Sequence, residues 1–225
     1  MVTYFKDKKD VYNPSFITLD EMVHLIKEDE DVANEIRHLR LAHRLYKEER
    51  NLEKQHERKL NKDSIKAELP GFVPSGEFTA RNNNSCLEYH ARIVLDIDHV
   101  EEPGILKHKV KKDKSVLMAF ISPSGDGLKV IHSLDCQGVD KDELNEFHRQ
   151  AFLSLEKYYK DKYGIDIDTA GKEISRLCFI SHDPIMYYNP NPKAYKFTYL
   201  KKEKFMGDMR DKILISDKYY NIIAY

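Results

Sequence analysis

Asp96 and Asp98 follow the apolar run Val94-Leu95 and are separated by one isoleucine. If this run is a strand, residues two apart lie on the same face, so the two carboxylates are predicted to lie side by side. Like charges that close repel one another, and a bound divalent cation relieves the repulsion. Two Mg²⁺ or Mn²⁺ ions held there can bind the attacking and leaving oxygens of a phosphoryl displacement. The alternative interpretation is that the acids merely terminate the strand.

A glycine-rich turn, Ser122-Pro-Ser-Gly-Asp-Gly127, is predicted between two strands. Glycine lets a backbone approach a ligand closely, and successive N–H groups in such a turn can form a concave anion site. The candidate phosphate-binding residues of this segment are Ser122, Ser124, Gly125, Gly127 and Lys129. The same composition also suits a β-hairpin turn that binds nothing, and both interpretations can hold together.

A third group of candidates lies between residues 165 and 183. Arg176 interrupts an apolar run, and an arginine there requires an anion; a phosphate suits the forked donors of its guanidinium group. The alternative is a structural ion pair with a nearby acid. Asp166 and Asp168 repeat the alternating acidic pattern, and Asp183 is either a third metal ligand or a turn former.

The histidines and the basic run are interpreted as structural. His132 is three residues after Lys129, and a single strand histidine is usually packed in a core. His99 directly follows the acidic pair and faces away from it by alternation. The basic residues of 37–62 are interleaved with glutamates, which favours a salt-bridged solvent face over a nucleic-acid surface.

The bulk composition limits the classes of partner. The formal net charge is −1, so a polyanion must be held by a local basic groove. The three cysteines include no Cys-x-x-Cys spacing, which argues against a disulfide framework and a structural zinc site. No run of about 18 apolar residues occurs. We therefore expect a cytoplasmic protein with no membrane partner.

The elements that must position these residues follow from periodicity and capping signals. We expect helices over 18–26, where Thr18 and Glu21 form a capping-box pattern, and over 31–61, 101–112 and 140–163. We expect strands over 2–5, 88–98, 175–181 and 194–200, a hairpin over 116–134, and an ordered loop over 66–76. Helices come first and strands mixed with helices follow, which indicates an α+β fold with a mixed or antiparallel central sheet.

Five motifs occur in order along the chain. They are Lys66-x-x-Leu69-Pro70, Pro74-Ser75-Gly76-x-Phe78, Val94-Leu95-Asp96-Ile97-Asp98-His99, Ser122-Pro-Ser-Gly-x-Gly-Leu-Lys129 and Ser175-Arg176-Leu-Cys-Phe-x-Ser181-x-Asp183-Pro184. In this order they resemble the VirE N-terminal domain family, which is similar to the primase-polymerase domains of the archaeo-eukaryotic primase superfamily. The resemblance extends over about residues 1–205.

The resemblance implies an RNA-recognition-motif-like catalytic sheet over 88–205, joined to an N-terminal helical or α/β part over 1–87. Together these make one domain over 1–205, with a C-terminal extension over 206–225. It implies a two-metal nucleotidyltransferase with Asp96, Asp98 and Asp168 as catalytic and metal-binding acids. Lys129 stands where the superfamily has a phosphate-binding histidine, and His132, Asp183 and Asp166 are further candidates.

The implied reaction is template-directed addition of nucleotides in phage or mobile-element replication of a bacterial cell. The implied cofactor is Mg²⁺ or Mn²⁺. The implied partners are a nucleoside triphosphate, single-stranded or primed DNA or RNA, and a replicative helicase acting in trans. Two alternatives are a catalytically degenerate module that binds single-stranded nucleic acid and a metal-dependent nuclease.

Overall fold

Helices and antiparallel strands alternate irregularly over residues 1–201, which the computed structural model describes. In chain order the elements are β1 (Val2–Phe5), β2 (Ser15–Ile17), α1 (Leu19–Lys27), α2 (Glu30–Glu48), α3 (Leu52–Glu68), β3 (Gly71–Val73), β4 (Gly76–Phe78), β5 (Cys86–Tyr89), β6 (Arg92–Ile97), α4 (Pro103–Val110), β7 (Val116–Ile121), β8 (Leu128–Ser133), α5 (Leu144–Tyr163), β9 (Cys178–Phe179) and β10 (Tyr187–Tyr188). The expected α+β class is confirmed in this coarse form: a mixed α/β protein with antiparallel sheets.

The central sheet has the strand order β10-β7-β8-β6, and each neighbouring pair is antiparallel. Strands β7 and β8 form the hairpin predicted for 116–134. Strand β6 lies at the other side of β8, and Asp96 is directly opposite Lys129 in their register. Because β8 separates them, β6 and β7 run in the same direction, and helix α4 connects the two.

The two faces of β6 belong to different hydrophobic cores. Ile93 and Leu95 pack in a core that includes buried residues of α5, whereas Val94 packs in a core that includes buried residues of α1 and α2. This division follows from the alternation of side chains along a strand. By the same alternation Asp96 and Asp98 lie on the Val94 face, which the N-terminal half of the chain covers.

A second sheet, with the order β2-β1-β3-β9, lies on that N-terminal side. Phe72 of β3 and Cys178 of β9 are buried in the same core as Val94. Strands β4 and β5 form a separate two-stranded hairpin. Asp96 of β6 is therefore positioned between two sheets rather than on an open sheet face, and Asp98 follows at the exposed end of the strand.

The long helix predicted over 31–61 is wrong, because the chain breaks into α2 and α3. Asn51 begins α3 as its N-cap, accepting a hydrogen bond from a backbone N–H of the first turn at 3.1 Å. Arg58 of α3 then forms an ion pair with Glu49 at 3.0 Å, which holds the two helices as an antiparallel pair. This reversal of chain direction matters for the site because it brings Lys66, near the end of α3, back to the vicinity of Asp96.

Three predicted strands differ from the observed structure: one is interrupted, one is shorter, and one does not form. The strand expected over 88–98 is interrupted at Ala91, whose φ of 50° ends β5 before β6 begins. The strand expected over 175–181 shortens to the two residues of β9. Residues 194–200 form no strand: Tyr195 makes a single parallel bridge at the end of β8.

The loop predicted over 66–76 is also wrong in part. It contains the end of α3, all of β3 and the beginning of β4. Strands β2 and β10 were not expected at all. Each of these strands has only two or three residues, which is too short for a period-two pattern, so partners in space decide them.

Several local predictions are confirmed. Strand β1 has the predicted bounds, and Thr18 and Glu21 make both hydrogen bonds of the capping box that begins α1. Gly164 ends α5 in the left-handed conformation, with φ of 69°. Within residues 1–201 no helix is both long and apolar enough to cross a bilayer. The predicted extension over 206–225 lies outside the described residues.

Candidate functional site

Three carboxylates meet at the carboxyl end of β6. One oxygen from each of Asp96, Asp98 and Asp168 lies within 4.8 Å of the others. We call these residues the acidic trio. Carboxylate oxygens grouped in this way suit Mg²⁺ or Mn²⁺, so the trio could hold a divalent cation. Of the three alternatives for the third acid, the structure brings Asp168 to the pair.

Asp168 is held against β6 by a short turn. Its backbone N–H donates to the Asp96 carbonyl oxygen at 2.9 Å, and its side chain caps the 3-10 turn of Thr169–Lys172. That turn lies very close to the sheet, because a Cβ at Gly171 would be 2.4 Å from the Phe152 ring and 3.0 Å from the Val94 carbonyl oxygen. Only glycine permits this approach.

Lys129 forms a nearly buried ion pair with Asp96, with its Nζ 2.6 Å from Asp96 Oδ2. Burial by itself raises the pKa of Asp96, but the Lys129 ammonium, with Lys66 and Arg176, brings the pKa below its usual value. Burial conversely lowers the pKa of Lys129, and the Asp96 charge more than reverses this. Both groups are therefore charged. Lys129 was predicted to bind phosphate, and its ammonium instead contacts the acid.

The second oxygen of Asp96 has no protein partner. Asp96 Oδ1 is buried and accepts no hydrogen bond among the described residues. A buried carboxylate oxygen without a donor is costly unless another group binds it. This atom therefore fits a cation that also contacts the other members of the trio.

Asp98 and Asp168 differ in their charge environment. Asp98 forms no ion pair with any residue in 1–201. The loss of hydration near it and the neighbouring Asp96 charge together raise its pKa. Asp168 is 3.0 Å from Arg176, in a pair that is about one-third exposed on each side. Arg176 precedes β9 rather than interrupting a longer strand, and it makes the ion pair that was weighed as its alternative role.

A cavity of about 590 Å³ opens beside Asp96 of β6, between α3 and the segment that leads into β9. Four basic side chains line it: Lys8, Lys66, Arg81 and Arg176. Only Asp96 of the trio is part of the lining, and Asp63 and Glu173 are the other acids there. The cavity therefore combines one member of the acidic trio with a basic wall.

Lys66 and Arg81 were not among the residues predicted for the site. Burial and the Lys129 charge lower the pKa of Lys66, and its Nζ is 5.6 Å from the centre of the Phe179 ring. A signal for Lys66 existed, since it stands in the Lys-x-x-Leu-Pro motif at the end of α3. Because the predicted helix over 31–61 ended before Lys66, the prediction gave no basis for placing Lys66 near the acids. No pattern in the sequence distinguishes Arg81 from other surface arginines.

The turn between β7 and β8 lies at the end of β6 but outside the lining of this cavity. A Cβ at Gly127 would be 2.6 Å from the Ile97 carbonyl oxygen. Asp126 of the turn binds Lys47 at 2.6 Å and His43 at 2.9 Å, so the turn is attached to α2. These two partners outweigh burial and hold the pKa of Asp126 well below its usual value.

The phosphate-binding candidates of the turn show internal contacts. Ser122 is buried, and its carbonyl oxygen accepts from Arg40 at 3.3 Å and from the Gly125 N–H at 3.0 Å. Ser124 Oγ lies 3.4 Å from Ser122 Oγ. Gly125 has a φ of 89°, which a side chain rarely adopts. These contacts are those of the hairpin turn that was weighed as the alternative.

The remaining candidates lie away from the trio. Asp183 is buried, pairs with Lys107 at 2.6 Å and accepts from the Ile121 N–H at 2.9 Å, so it fastens a loop to α4 and β7. Asp166 is exposed and pairs with Lys160 at 2.7 Å. His132 is buried in the core on the opposite face of the sheet.

His132 has two hydrogen-bond partners, Ser115 Oγ and Tyr159 Oη, each at 2.8 Å. Burial lowers its pKa to about 4, so it is neutral at physiological pH. His99, with φ of 55°, is exposed and lies 3.7 Å from Asp126. Neither ring reaches the trio, in agreement with their interpretation as structural residues.

Comparison with known proteins gives one match. The model of the family described as BT4734-like, N-terminal domain matches residues 64–188. This range contains the acidic trio and Lys66, Arg81, Lys129 and Arg176. No curated protein and no solved structure matches the chain.

This match corrects the resemblance inferred from the five motifs. The family that matches is a different one from the VirE N-terminal domain family, so that identification is wrong. Short motifs of Asp, Gly, Ser and Arg occur in many phosphate-handling proteins, and their order alone did not distinguish the families. The link to phage or mobile-element replication and to a helicase depended on that resemblance.

Proposed function

The chain belongs to the BT4734-like N-terminal domain family, and we propose that its acidic trio and basic cavity form the site of a metal-dependent nucleotidyltransferase. The substrate class is a nucleoside triphosphate, and the acceptor is a nucleic-acid strand paired with a template. The cofactor is Mg²⁺ or Mn²⁺. The observation that carries this proposal is the convergence of Asp96, Asp98 and Asp168 within 4.8 Å.

The donor set fits such a cation. Asp96 Oδ1 is buried without a partner, and Asp98 has no ion pair within 1–201. Burial and, after it, the neighbouring Asp96 charge raise the pKa of Asp98. Divalent ions bound at such a site stabilise the charge that develops on phosphoryl oxygens. Mg²⁺ in particular keeps open positions that substrate phosphates fill.

The basic wall supports a polyphosphate substrate. Lys66, Arg81 and Lys8 line the cavity that begins at Asp96. None of these three side chains has a carboxylate partner within 4.0 Å among the described residues, so their charge is available to an anion. Arg176 pairs with Asp168 where each side chain is about one-third exposed, and it is the cation that a phosphate can reach without breaking a buried contact.

The connectivity of the central sheet is a further support. The order β6-α4-β7-β8-α5, with β8 between β6 and β7, is that of a split β-α-β arrangement. We include in the proposal that this unit is the RNA-recognition-motif-like catalytic sheet that the resemblance implied, with Asp96 on its first strand, β6.

The chain's own residues have distinct parts in the proposed reaction. The trio positions the cation and orients the triphosphate. Lys129 keeps Asp96 ionised, because it lowers the pKa of that carboxyl. Lys66 and Arg81 bind the non-reacting phosphates, which places the reacting phosphorus near the acceptor hydroxyl.

A primer-extension assay tests the proposal. Purified protein is incubated with a labelled primer–template, the four nucleotides and Mn²⁺ or Mg²⁺. We expect extension by the natural protein and a loss of roughly 100-fold or more for Asp96→Asn, Asp98→Asn and Asp168→Asn, because several kcal/mol of stabilisation depend on the metal. Asp166→Asn is the matched control, since Asp166 is exposed and outside the trio, and it should retain activity.

The same assay contains the outcomes that contradict the proposal. If folded protein extends no primer with either metal, or if the trio variants extend as well as Asp166→Asn, the proposed activity is wrong. Binding of the single strand that survives chelation and the Asp96→Asn change would instead indicate a non-catalytic binding module.

A second candidate function is metal-dependent cleavage of nucleic acid. The observation that favours it is Lys66, whose pKa is lowered by burial and by Lys129 and which lines the cavity beside Asp96. A lysine with a lowered pKa can remove a proton from an attacking water. Shortened rather than extended primers, with loss of cleavage in Lys66→Met, would favour this activity.

A further inference from the structure

A second group of metal-ligating side chains lies on the β4–β5 hairpin, away from the acidic trio. One ligand atom from each of Glu77, Glu88 and His90 lies within 4.8 Å of the others. The His90 ring is 3.2 Å from Glu77 through Nε2 and 3.9 Å from Glu88 through Nδ1. The group combines an imidazole nitrogen with carboxylate oxygens, in contrast to the all-oxygen trio.

The backbone itself directs these three side chains to one place. Glu77 and Glu88 are directly opposite each other in the β4–β5 register, so both project from the same face. His90 is two residues after Glu88 and shares that face by alternation. The His90 N–H donates to the Ser75 carbonyl oxygen at 2.7 Å, which extends the pairing past the end of β5.

The two strands of the hairpin are in close contact at this point. A Cβ at Gly76, next to Glu77, would be 2.1 Å from the Glu88 carbonyl oxygen, so the two strands approach as closely as glycine allows. The side chains of Glu77 and His90 are about four-fifths buried, whereas that of Glu88 is two-thirds exposed. Two ligands are thus held in place, and the third is free to close over an entering ion.

The charge of the group is not balanced by the protein. Like charges directly opposite on paired strands destabilise a sheet. Within residues 1–201 no lysine or arginine lies within 4.0 Å of either glutamate; Glu77 has the His90 ring and the Met1 amino group at 3.9 Å, and Glu88 has only the His90 ring. A divalent cation would remove the repulsion and take a nitrogen of the His90 ring as a ligand.

We propose that Glu77, Glu88 and His90 form a binding site for a divalent transition-metal ion of the Zn²⁺ type, separate from the acidic trio. A nitrogen ligand favours Zn²⁺ or Co²⁺ over Mg²⁺, which prefers oxygen alone. Three protein ligands leave one position of a tetrahedral ion for water. An ion there joins β4 to β5 and stabilises a hairpin that has only two strands.

A titration with Co²⁺ and Zn²⁺ in excess Mg²⁺ tests this site. The Mg²⁺ occupies all-oxygen sites, and the visible absorption of bound Co²⁺ reports a nitrogen-containing site. We expect one equivalent of Co²⁺ to bind the natural protein and Zn²⁺ to displace it. Glu88→Gln and His90→Gln should each weaken binding at least about tenfold, the loss that removing even an outer partner of a metal ligand causes.

Two control variants distinguish this site from the acidic trio and from an isolated histidine–glutamate pair. Asp96→Asn should leave Co²⁺ binding unchanged, because Asp96 belongs to the trio. His24→Gln removes a histidine that pairs with Glu28 on α1 without a third ligand, and it should also bind normally. No bound Co²⁺ in excess Mg²⁺, or binding that Glu88→Gln and His90→Gln leave intact, would overturn the proposal.

Discussion

At the scale of single residues, the Lys129–Asp96 pair determines the charge of the site. The pair is 2.6 Å long, and with Lys129 5% and Asp96 20% exposed, both charges are largely removed from water. Removing one partner of a buried pair leaves the other uncompensated, which costs more than the pair itself contributes. The trio therefore has a built-in counter-ion for Asp96, whereas Asp98 has none among residues 1–201.

Lys129→Met should make the stability of the protein depend on divalent metal. Without metal we expect the free energy of unfolding to fall by about 3 kcal/mol, because Asp96 is left buried and unpaired. Added Mn²⁺ should restore part of that loss, since the cation replaces the missing ammonium. Urea unfolding with and without Mn²⁺ measures both effects.

Lys160→Met is the matched control, because Lys160 pairs with the exposed Asp166. An exposed pair contributes little, so this variant should differ from the natural protein by less than about 1 kcal/mol. A Lys129→Met protein that is as stable as the control without metal would contradict the assigned role of Lys129.

At the scale of elements, the third acid depends on the 3-10 turn of Thr169–Lys172. This turn begins at Asp168 and lies on the sheet through Gly171, with no room for a methyl group beside Phe152 and the Val94 carbonyl. The position of Asp168 is thus a consequence of backbone packing several residues away. The fit of one glycine connects the packing of α5 on the sheet to the geometry of the trio.

Gly171→Ala should displace this turn and weaken metal binding. The added methyl group overlaps a ring and a carbonyl oxygen, so we expect a loss of about 1 to 3 kcal/mol in unfolding free energy. Because Asp168 moves with the turn, Mn²⁺ affinity should also fall, and calorimetric titration with Mn²⁺ measures it.

Gly104→Ala provides the comparison, since a Cβ there meets nothing within 4 Å and Gly104 lies in α4. Alanine favours a helix over glycine, so this variant should be at least as stable as the natural protein. Equal Mn²⁺ affinity in the two variants would show that the turn does not position Asp168.

At the scale of the whole molecule, buried histidines on the α5 side of the central sheet link folding to pH. His132 bonds Ser115 and Tyr159, and His148 of α5 lies 3.0 Å from Tyr89 Oη. Burial lowers the pKa of both rings from 6.5 to about 4. Folding therefore requires that two histidines remain neutral in this core.

The unfolding free energy should fall as the pH drops from 7 toward 4. Between pH 6.5 and about 4 the unfolded chain binds protons that the folded chain excludes, so acid favours unfolding there. At pH 5 we expect a loss of roughly 2 kcal/mol for each histidine. Urea unfolding at pH 7 and pH 5 measures the difference.

His148→Gln should remove its own share of this pH dependence, because glutamine does not titrate. The exposed His38 provides the control, and His38→Gln should keep the full dependence. If the natural protein and His148→Gln lose equal free energy between the two pH values, His148 does not titrate as its burial requires.

Much of the fold was predictable wherever a local signal decided it. The capping box of Thr18 and Glu21, the periodicity of 140–163 and the turn chemistry of 122–127 each specify an element without help from the rest of the chain. Asp96 and Asp98 could be paired for the same reason, since alternation along a strand is a local property. The family could not be identified this way, because the motifs that carried the resemblance were short.

Tertiary structure alone decided which distant residues join this pair. Asp168 was preferred to Asp183 and Asp166 through the resemblance, and the packing of one turn on β6 brings Asp168 to the pair. The break at Asn51 returned Lys66 to the site, and register placed Lys129 opposite Asp96. The physical reason is that sequence spacing determines which face of an element a side chain lies on, whereas distance between elements depends on how their cores pack.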